Sequence, residues 1–142
     1  MADNNNNINV DEVVENIKNL NNTADTTGAY DTQDINDNKL MAILAYIGIL
    51  VLIPLFAAKK SKFARFHTNQ GLVFFLANLA LGLVYNIVVQ ILGGIPVISI
   101  LVVALGYLVS LVLFVVMIIG IVNAVQGRAK ELPVIGKIRI LK

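Results

Sequence analysis

The sequence predicts an all-α integral membrane protein with three transmembrane helices, of which the second and third form a hairpin, and with a disordered polar N-terminal tail. Three observations predict this class. Of the 142 residues, 14% are charged, whereas roughly a quarter of the residues in soluble domains are charged. Three uncharged runs approach or exceed the roughly 20 residues that a helix needs to cross a bilayer. None of them alternates in the way that strands of a membrane barrel do.

Residues 1–38 differ in composition from the rest and predict a disordered, Asn- and Asp-rich tail. They carry eight acidic residues against one lysine, Lys18, and so polar a segment buries too little apolar surface to offset the entropy lost on ordering. The stretch VDEVVENIKNL predicts a short amphipathic helix, because five apolar residues follow a helical spacing. These are Val10, Val13, Val14, Ile17 and Leu20. We interpret it either as nascent structure in a solvated tail or as a docking element for a partner.

Residues 39–142 predict the transmembrane domain, which ends in a basic C-terminal tail. Its three spans lie at about 41–58, 71–92 and 97–124. The GGIP sequence at 93–96 predicts a tight turn, which makes the second and third spans an antiparallel hairpin. Pro54 lies four residues before the end of the first run, and a proline there kinks a helix or ends its regular part. The sequence leaves open whether that first run crosses the membrane completely.

Lysine and arginine are distributed unevenly over the connections and predict the orientation. The loop 59–70 contains four, the C-terminal tail from Val125 contains five, and the GGIP turn contains none. Because basic loops stay in the cytoplasm, we expect a multi-pass protein of the cell membrane with this loop and the C-terminus cytoplasmic and the N-terminal tail outside. A re-entrant first run would return the tail to the cytoplasm. The four cations of the loop are also predicted to bind anionic lipid headgroups. They are Lys59, Lys60, Lys62 and Arg65.

Polar side chains of the second helix predict a stripe along one face. At 100° per residue, His67, Asn78 and Tyr85 fall within about 20° of one another. The stripe is interpreted as a helix-packing face, in which an amide hydrogen-bonds across an interface, or as one wall of a polar cavity. No span contains an ionisable Asp, Glu, Lys, Arg or His. This speaks against an ion-coupled pump, because such proteins keep ionisable groups at membrane depth.

Residues that usually carry catalysis or bind metals are scarce. The sequence has no cysteine and one histidine, His67, so we predict no metal site and no cofactor. No phosphate-binding loop or nucleophile elbow occurs, and we predict that the protein is not an enzyme and has no nucleic-acid partner. The enzyme alternative would use His67 as a base at the membrane surface and Arg65 to hold a lipid phosphate, but it lacks an orienting acid.

Two short motifs relate the chain to a known family. The first is R-F-H-x-x-Q-G and the second lies within the C-terminal stretch ELPVIGKI. Their residues are Arg65, Phe66, His67, Gln70 and Gly71 in the first, and Pro133, Gly136 and Lys137 in the second. With these motifs the chain resembles a family of small prokaryotic membrane proteins of unknown function that is grouped with the chloroplast inner-envelope protein-import component. The resemblance implies a structural or interaction subunit related to import components, with a protein partner.

Two other functions stay open beside the interaction subunit. One is a small homo-oligomeric channel or solute pathway, built from the stripe that contains Asn78 and Tyr85. The other is the membrane-surface enzyme that would use His67.

Overall fold

The structure, a computed structural model, describes residues 9–142 and consists there of α-helices joined by short connections. Five α-helices occur in this range, and its one β-type contact is an isolated bridge between Asp25 and Lys130. The helices are α1 (Val10–Leu20), α2 (Thr32–Leu44), α3 (Leu52–Ala57), α4 (Lys62–Leu92) and α5 (Pro96–Val125). The all-α class is confirmed for these residues. Residues 1–8 of the predicted tail lie outside them.

Helices α4 and α5 form the predicted hairpin. They contain 31 and 30 residues, and at the turn the Gly93 amide donates a hydrogen bond of 2.8 Å to the Val89 carbonyl. Pro96 begins α5, a position that suits its fixed φ and does not need its missing amide hydrogen. Both helices are long and apolar enough to cross a membrane, and only 11% of their most apolar windows is buried. A core helix of a soluble protein would hide most of these side chains.

The first hydrophobic run, residues 41–58, does not form a third span, so the prediction of three transmembrane helices is not supported. Helix α2 ends within this run, and α3 has only six residues. Between them the chain turns through Gly48, whose φ of 52° lies in the left-handed region that favours glycine. Pro54 then lies inside α3 and lacks an amide hydrogen. Part of the broken run packs inward, with Tyr46 and Val51 buried, whereas Ile49 and Phe56 are exposed.

Two predicted boundaries also differ from the structure. The expected loop 59–70 is mostly helical, because α4 already begins at Lys62 with Ser61 as its N-cap. Asp34 of α2 accepts a further hydrogen bond of 3.0 Å from the first turn of α4, where a carboxylate is favourable. The expected end of the disordered tail at residue 38 falls within α2. The ordered part of the chain therefore begins before the predicted transmembrane domain.

We call residues 21–71 and 123–142 the base, and residues 72–122 the hairpin. In the base, α2 packs against the first turns of α4 and against the end of α5. The buried apolar side chains of the base come from each of these elements and from the C-terminal segment. They include Ile35, Ala42, Tyr46, Phe63, Phe66, Ala124 and Leu132. The hairpin, in contrast, exposes most of its large apolar side chains.

Two glycines allow the chain after α2 to pack closely against both long helices. A Cβ added at Gly71 of α4 would overlap the carbonyl oxygen of Ala45. A Cβ added at Gly120 of α5 would lie 2.5 Å from Cε1 of Tyr46. Tyr46 is 1% exposed and fills the space between the two long helices. A larger residue at either glycine would close part of this space.

The segment after α1 pairs with the C-terminal segment in the base. Asn21 and Asn123 exchange two side-chain hydrogen bonds of 3.0 and 2.8 Å, and the Thr26 amide donates to the Ala129 carbonyl at 3.0 Å. Residues 21–27 and the C-terminal segment thus lie at the same end of the hairpin. The sequence predicts that the N-terminal tail and the C-terminus lie on opposite sides of the membrane, whereas residues 21–27 and the C-terminal segment are in contact in the structure.

Candidate functional site

The R-F-H-x-x-Q-G motif lies in the first turns of α4, which pass through the base before the helix continues into the hairpin. Phe66, His67, Gln70 and Gly71 are buried, and Arg65 is half-buried. Two successive turns of one helix therefore present polar and aromatic side chains to α2 and to the C-terminal segment. The motif belongs to the packed interior of the base.

Gln70 joins the two sequence motifs. Its side-chain amide donates a hydrogen bond of 2.7 Å to the Gly136 carbonyl, and its side-chain oxygen accepts one of 3.0 Å from the Leu132 amide. Gly136 is required in this turn, because an added Cβ would lie 2.5 Å from the Leu132 carbonyl oxygen. Both groups of the Gln70 amide are thus satisfied by backbone that is distant in sequence.

Asn69 strengthens the same contact one residue earlier. It donates to the Ile138 carbonyl at 2.8 Å and accepts from the Ile140 amide at 2.6 Å. Arg65 donates to the Lys142 carbonyl. We call these contacts of Asn69 and Gln70 with the backbone of residues 132–141 the joint. This segment forms turns but no helix or sheet of its own, and it is held there by side-chain amides in place of ladder bonds.

The side chains in the rest of the C-terminal motif are exposed or half-buried. Lys137 is exposed and Pro133 is half-buried. Val134 between them is 99% exposed with a φ of 66°, and a positive φ is unfavourable for a β-branched residue. A hydrogen bond of 2.7 Å from the Ile135 amide to the Pro133 carbonyl closes this tight turn. The base therefore displays an apolar side chain at a backbone position that valine rarely adopts.

His67 is fully enclosed. Its Nδ1 lies 2.8 Å from the Tyr46 hydroxyl, and the rings of Phe63 and Phe66 meet it edge-on at centroid distances of 4.7 and 5.2 Å. The residue precedes the uncharged run of α4 and so lies outside the membrane-crossing part. Burial lowers the pKa of His67 to about 3, and the Arg128 backbone acts in the opposite direction. The imidazole is therefore neutral at physiological pH.

The enclosed ring does not favour the predicted enzyme alternative. Burial raises the pKa of Tyr46, so its hydroxyl stays protonated and donates a hydrogen bond to Nδ1 of His67, which leaves the ring proton on Nε2. Among residues 9–142, Nε2 has no hydrogen-bond partner of normal geometry. A histidine with no exposed surface cannot reach a substrate in this conformation, and its contacts are those of a core residue.

The predicted polar stripe is divided between two environments. His67 belongs to the base, whereas Asn78 and Tyr85 line a groove of about 600 Å³ between α4 and α5. Asn78 donates to a carbonyl of its own helix at 2.7 Å, and Ser110 on the opposite wall does the same at 2.8 Å. Tyr85 packs against Gly106, where an added Cβ would lie 2.6 Å from its hydroxyl oxygen. The stripe is thus a packing face near Tyr85 and a groove wall near Asn78.

The predicted headgroup cations lie along one edge of the base. Lys59 and Arg65 line a pocket of about 280 Å³ together with Thr68, while Lys60 and Lys62 are exposed beside it. Its remaining wall is largely apolar, formed by Pro54, Leu55, Phe56 and Leu141. Two cations beside an apolar wall form a surface that suits a ligand with one anionic part and one apolar part.

Sequence reasoning missed three residues that hold the base together. Tyr46 is the one aromatic side chain in the stretch MAILAYIGIL, Asn69 occupies a variable position of the first motif, and Asn123 lies near the end of a long apolar run. Tyr46 and Asn123 are polar groups within apolar runs, which is the signal that identifies them, whereas Asn69 lies among other polar residues. No cluster of three or more His, Cys, Asp or Glu side chains that could hold a metal ion occurs among residues 9–142.

The comparison with protein families identifies the chain. The model of the magnetosome magnetite crystal formation protein family, MamF/MmsF, matches residues 37–141. The chain belongs to this family. The match covers most of α2, all of α3 to α5 and the C-terminal segment with both motifs, whereas α1 lies outside it. No curated protein and no solved structure matches the chain.

Membership of the magnetosome magnetite crystal formation family corrects the resemblance inferred from the motifs. The relation to the chloroplast protein-import component is wrong, because the matched family is a different one. The motif residues themselves lie within the matched range. The contacts of these residues explain the error. The joint is a buried packing contact and therefore a feature of the fold, and a fold does not determine the process in which a protein takes part.

Proposed function

We propose that the chain is a membrane-embedded interaction protein that takes part in magnetosome magnetite crystal formation. The family description supports the process. The observation that carries the interaction role is the contrast between an exposed apolar hairpin and a base whose polar side chains are buried in specific internal contacts. The hairpin anchors the chain in the lipid, and the base forms a folded platform at the membrane surface.

The proposed orientation places the base on the cytoplasmic side of its membrane. All Lys and Arg residues of the chain except Lys18 lie in the base, and the hairpin has none. Since basic segments remain cytoplasmic, the turn at 93–96 is the part that crosses to the other side. With two spans, both ends of the described chain lie on the side of the base.

Anionic lipid headgroups are the proposed membrane partner of the basic edge. Lys59 and Arg65 meet in one pocket, which suits a phosphate group beside an acyl chain that follows the apolar wall. The exposed Lys60 and Lys62 add further attraction at about 1 kcal/mol each near the surface. These contacts would hold the base against the bilayer.

A protein partner is proposed to contact the exposed turn around Val134. This side chain contributes nothing to the core, being 99% exposed, and its φ of 66° makes the position unfavourable for valine in the free protein. A contact with a partner would explain why an apolar side chain is retained there. The turn is fixed to the base through Gly136, so it is held in position before a partner binds.

The test is complementation in a magnetite-forming cell from which the gene has been deleted. We expect the deletion to change crystal size or number, and we expect the native chain and Val134→Ile to restore it. Val134→Gly should insert normally and be at least as stable, because glycine accepts the positive φ, yet it should fail to restore the crystals. Full restoration by Val134→Gly would contradict the role of this turn, and unchanged crystals after deletion would contradict the role in the process.

The groove between α4 and α5 favours a second candidate, a solute pathway formed by several copies. Asn78, Tyr85 and Ser110 give part of this groove a polar lining. The channel hypothesis predicts that the purified protein conducts a solute across vesicles and that Asn78→Leu lowers the flux. The interaction protein predicts no flux from the protein alone. Neither proposal includes an enzymatic step, because His67 is enclosed.

A further inference from the structure

Helix α1 has an apolar face that no other part of the chain covers within residues 9–142. None of its residues is buried. The helix is nevertheless well formed at its start, where Asn9 accepts a hydrogen bond of 3.1 Å from the Asp11 amide and acidic residues occupy the first turn. The exposed fractions of its apolar side chains run from 39% at Ile17 to 68% at Val10. An isolated helix of 11 residues is marginal in water, so this face requires a partner.

The end of α1 is fixed at the level where the hairpin leaves the membrane. Asn21, which follows α1 directly, exchanges two hydrogen bonds with Asn123. Asn123 is fully buried in the last turn of α5, next to Ala124, where the uncharged run ends. The helix is about 16 Å long at 1.5 Å per residue, so its start lies within about 16 Å of that level.

We propose that α1 lies in the membrane interface with the face of Val10, Val13, Val14, Ile17 and Leu20 inserted into lipid. The same bilayer that covers the exposed hairpin is within reach of this helix, and the Asn21–Asn123 pair holds it there. The arc of these five residues is about 120° wide at 100° per residue, which is the width of an interfacial helix that keeps its polar face in water. This inference rests on the proposed insertion of the hairpin.

The charges of α1 decide which lipid surface it fits. Its polar face carries Asp11, Glu12 and Glu15 against Lys18, so anionic headgroups repel it. The basic edge of the base, with Lys59 and Arg65, attracts them. The chain therefore contacts the membrane at two places, of which the basic edge favours anionic headgroups and α1 disfavours them. Helix α1 inserts through its apolar face without help from anionic lipid.

Tryptophan fluorescence in vesicles tests the position of α1, because the chain contains no tryptophan. The full chain with Ile17→Trp is reconstituted into phosphatidylcholine vesicles whose acyl chains carry bromine, a contact quencher. We expect Ile17→Trp to lose most of its emission, more strongly with bromine near the headgroup than with bromine deep in the chain. The matched control is Asn19→Trp, about 160° away on the helix, which should keep nearly all of its emission.

Two further measurements separate the outcomes. Leu108→Trp in α5, whose native side chain is 58% exposed, reports on the hairpin and should be quenched most by deep bromine. Quenching at Leu108→Trp without quenching at Ile17→Trp would overturn the proposal for α1 alone, whereas no quenching at either would overturn the membrane insertion on which it rests. A blue-shifted emission of Ile17→Trp that bromine does not quench would assign the face to a second copy or to another protein, and would equally overturn the proposal.

The lipid composition gives an independent outcome. Replacing half of the phosphatidylcholine by phosphatidylglycerol at low salt should weaken the quenching of Ile17→Trp and leave that of Leu108→Trp unchanged. Stronger quenching of Ile17→Trp in the anionic vesicles would contradict the role assigned to the acidic face.

Discussion

The base and the hairpin use polar side chains in opposite ways, and helix α4 contains both. In the base, the Gln70 amide bonds to the backbone of residues 132 and 136 at the far end of the chain. In the hairpin, eight residues later on the same helix, the Asn78 amide bonds to the carbonyl of Phe74 one turn back. Asn86 and Ser110 also bond to their own helices.

The difference shows which part of the sequence determines a unique structure. A side-chain bond between distant segments fixes how those segments sit together and leaves buried groups unsatisfied when it is broken. A bond to the same helix satisfies the polar atom without constraining a neighbour. The base is therefore specified by particular residues, whereas the hairpin requires length and apolar character. Each prediction below compares a base residue with a hairpin counterpart or with its own replacement.

The largest loss of stability is expected when Gly71 of α4 is replaced. Gly71→Ala would place a Cβ on the backbone oxygen of Ala45, which cannot move aside as a side chain can, so we expect a loss beyond the roughly 1–3 kcal/mol of ordinary overpacking. At Gly82 of the hairpin, nothing lies within 4 Å of an added Cβ. Gly82→Ala should leave the thermal midpoint in detergent unchanged or raise it. Equal midpoints for the two variants would mean that the base is not packed as described.

A smaller loss is expected when the joint is opened. Gln70→Ala leaves the Leu132 amide and the Gly136 carbonyl without their partner, which costs about 2 kcal/mol. Asn78→Ala removes an amide that bonds only within its helix, and should cost less than about 0.6 kcal/mol. Amide hydrogen exchange provides the local measurement: residues 132–141 should exchange faster in Gln70→Ala and at the native rate in Asn78→Ala. Slow exchange in both would show that the C-terminal segment is held by other contacts.

The last effect depends on pH and concerns the neutral state of His67. Its pKa is about 3 in the folded protein against an ordinary value near 6.5. Below pH 6.5 the unfolded chain binds a proton that the folded chain does not, so the free energy of unfolding falls as the pH is lowered toward 3, by at most about 1.4 kcal/mol per pH unit. Above pH 6.5 this group contributes no pH dependence.

The comparison that isolates His67 is the slope of the thermal midpoint between about pH 6.5 and pH 5.5, above the range in which carboxylates with ordinary pKa values titrate. His67→Gln carries no titratable ring and should have a flatter slope than the native chain, whatever its absolute stability. Identical slopes would show that the ring is accessible to protons in the folded state.

The parts of the fold that follow from composition could be predicted, and those that follow from distant contacts could not. The hairpin at 71–92 and 97–124 was visible as two uncharged runs around GGIP, since length and apolarity are sufficient for it. The run 41–58 has nearly the same composition, but Gly48 breaks it, and the core of the base gives its apolar side chains a place to pack. Composition alone does not distinguish a span from a buried broken segment.

The candidate site was found in pieces. Both motifs were identified as sequence, but their contact through Gln70 and Gly136 joins residues 66 positions apart, and one sequence does not reveal which distant segments meet. The polar stripe is divided between two environments for a related reason. Helical phase correctly aligns His67 with Asn78 on α4, but the environment changes along the helix from base to lipid, and phase carries no information about that change.

The central claim is a two-span protein whose N-terminal segment and C-terminus share the base on one side of the membrane. The chain has no cysteine, so single exposed positions can be tested by replacing Ala24, Gly94 or Lys137 with cysteine and labelling with a membrane-impermeant maleimide in sealed vesicles of known orientation. We predict that Ala24→Cys and Lys137→Cys react from the same face and that Gly94→Cys reacts from the opposite one. Labelling of Ala24→Cys from the face of Gly94→Cys would contradict the account, because a third span would then have to cross between residues 24 and 62.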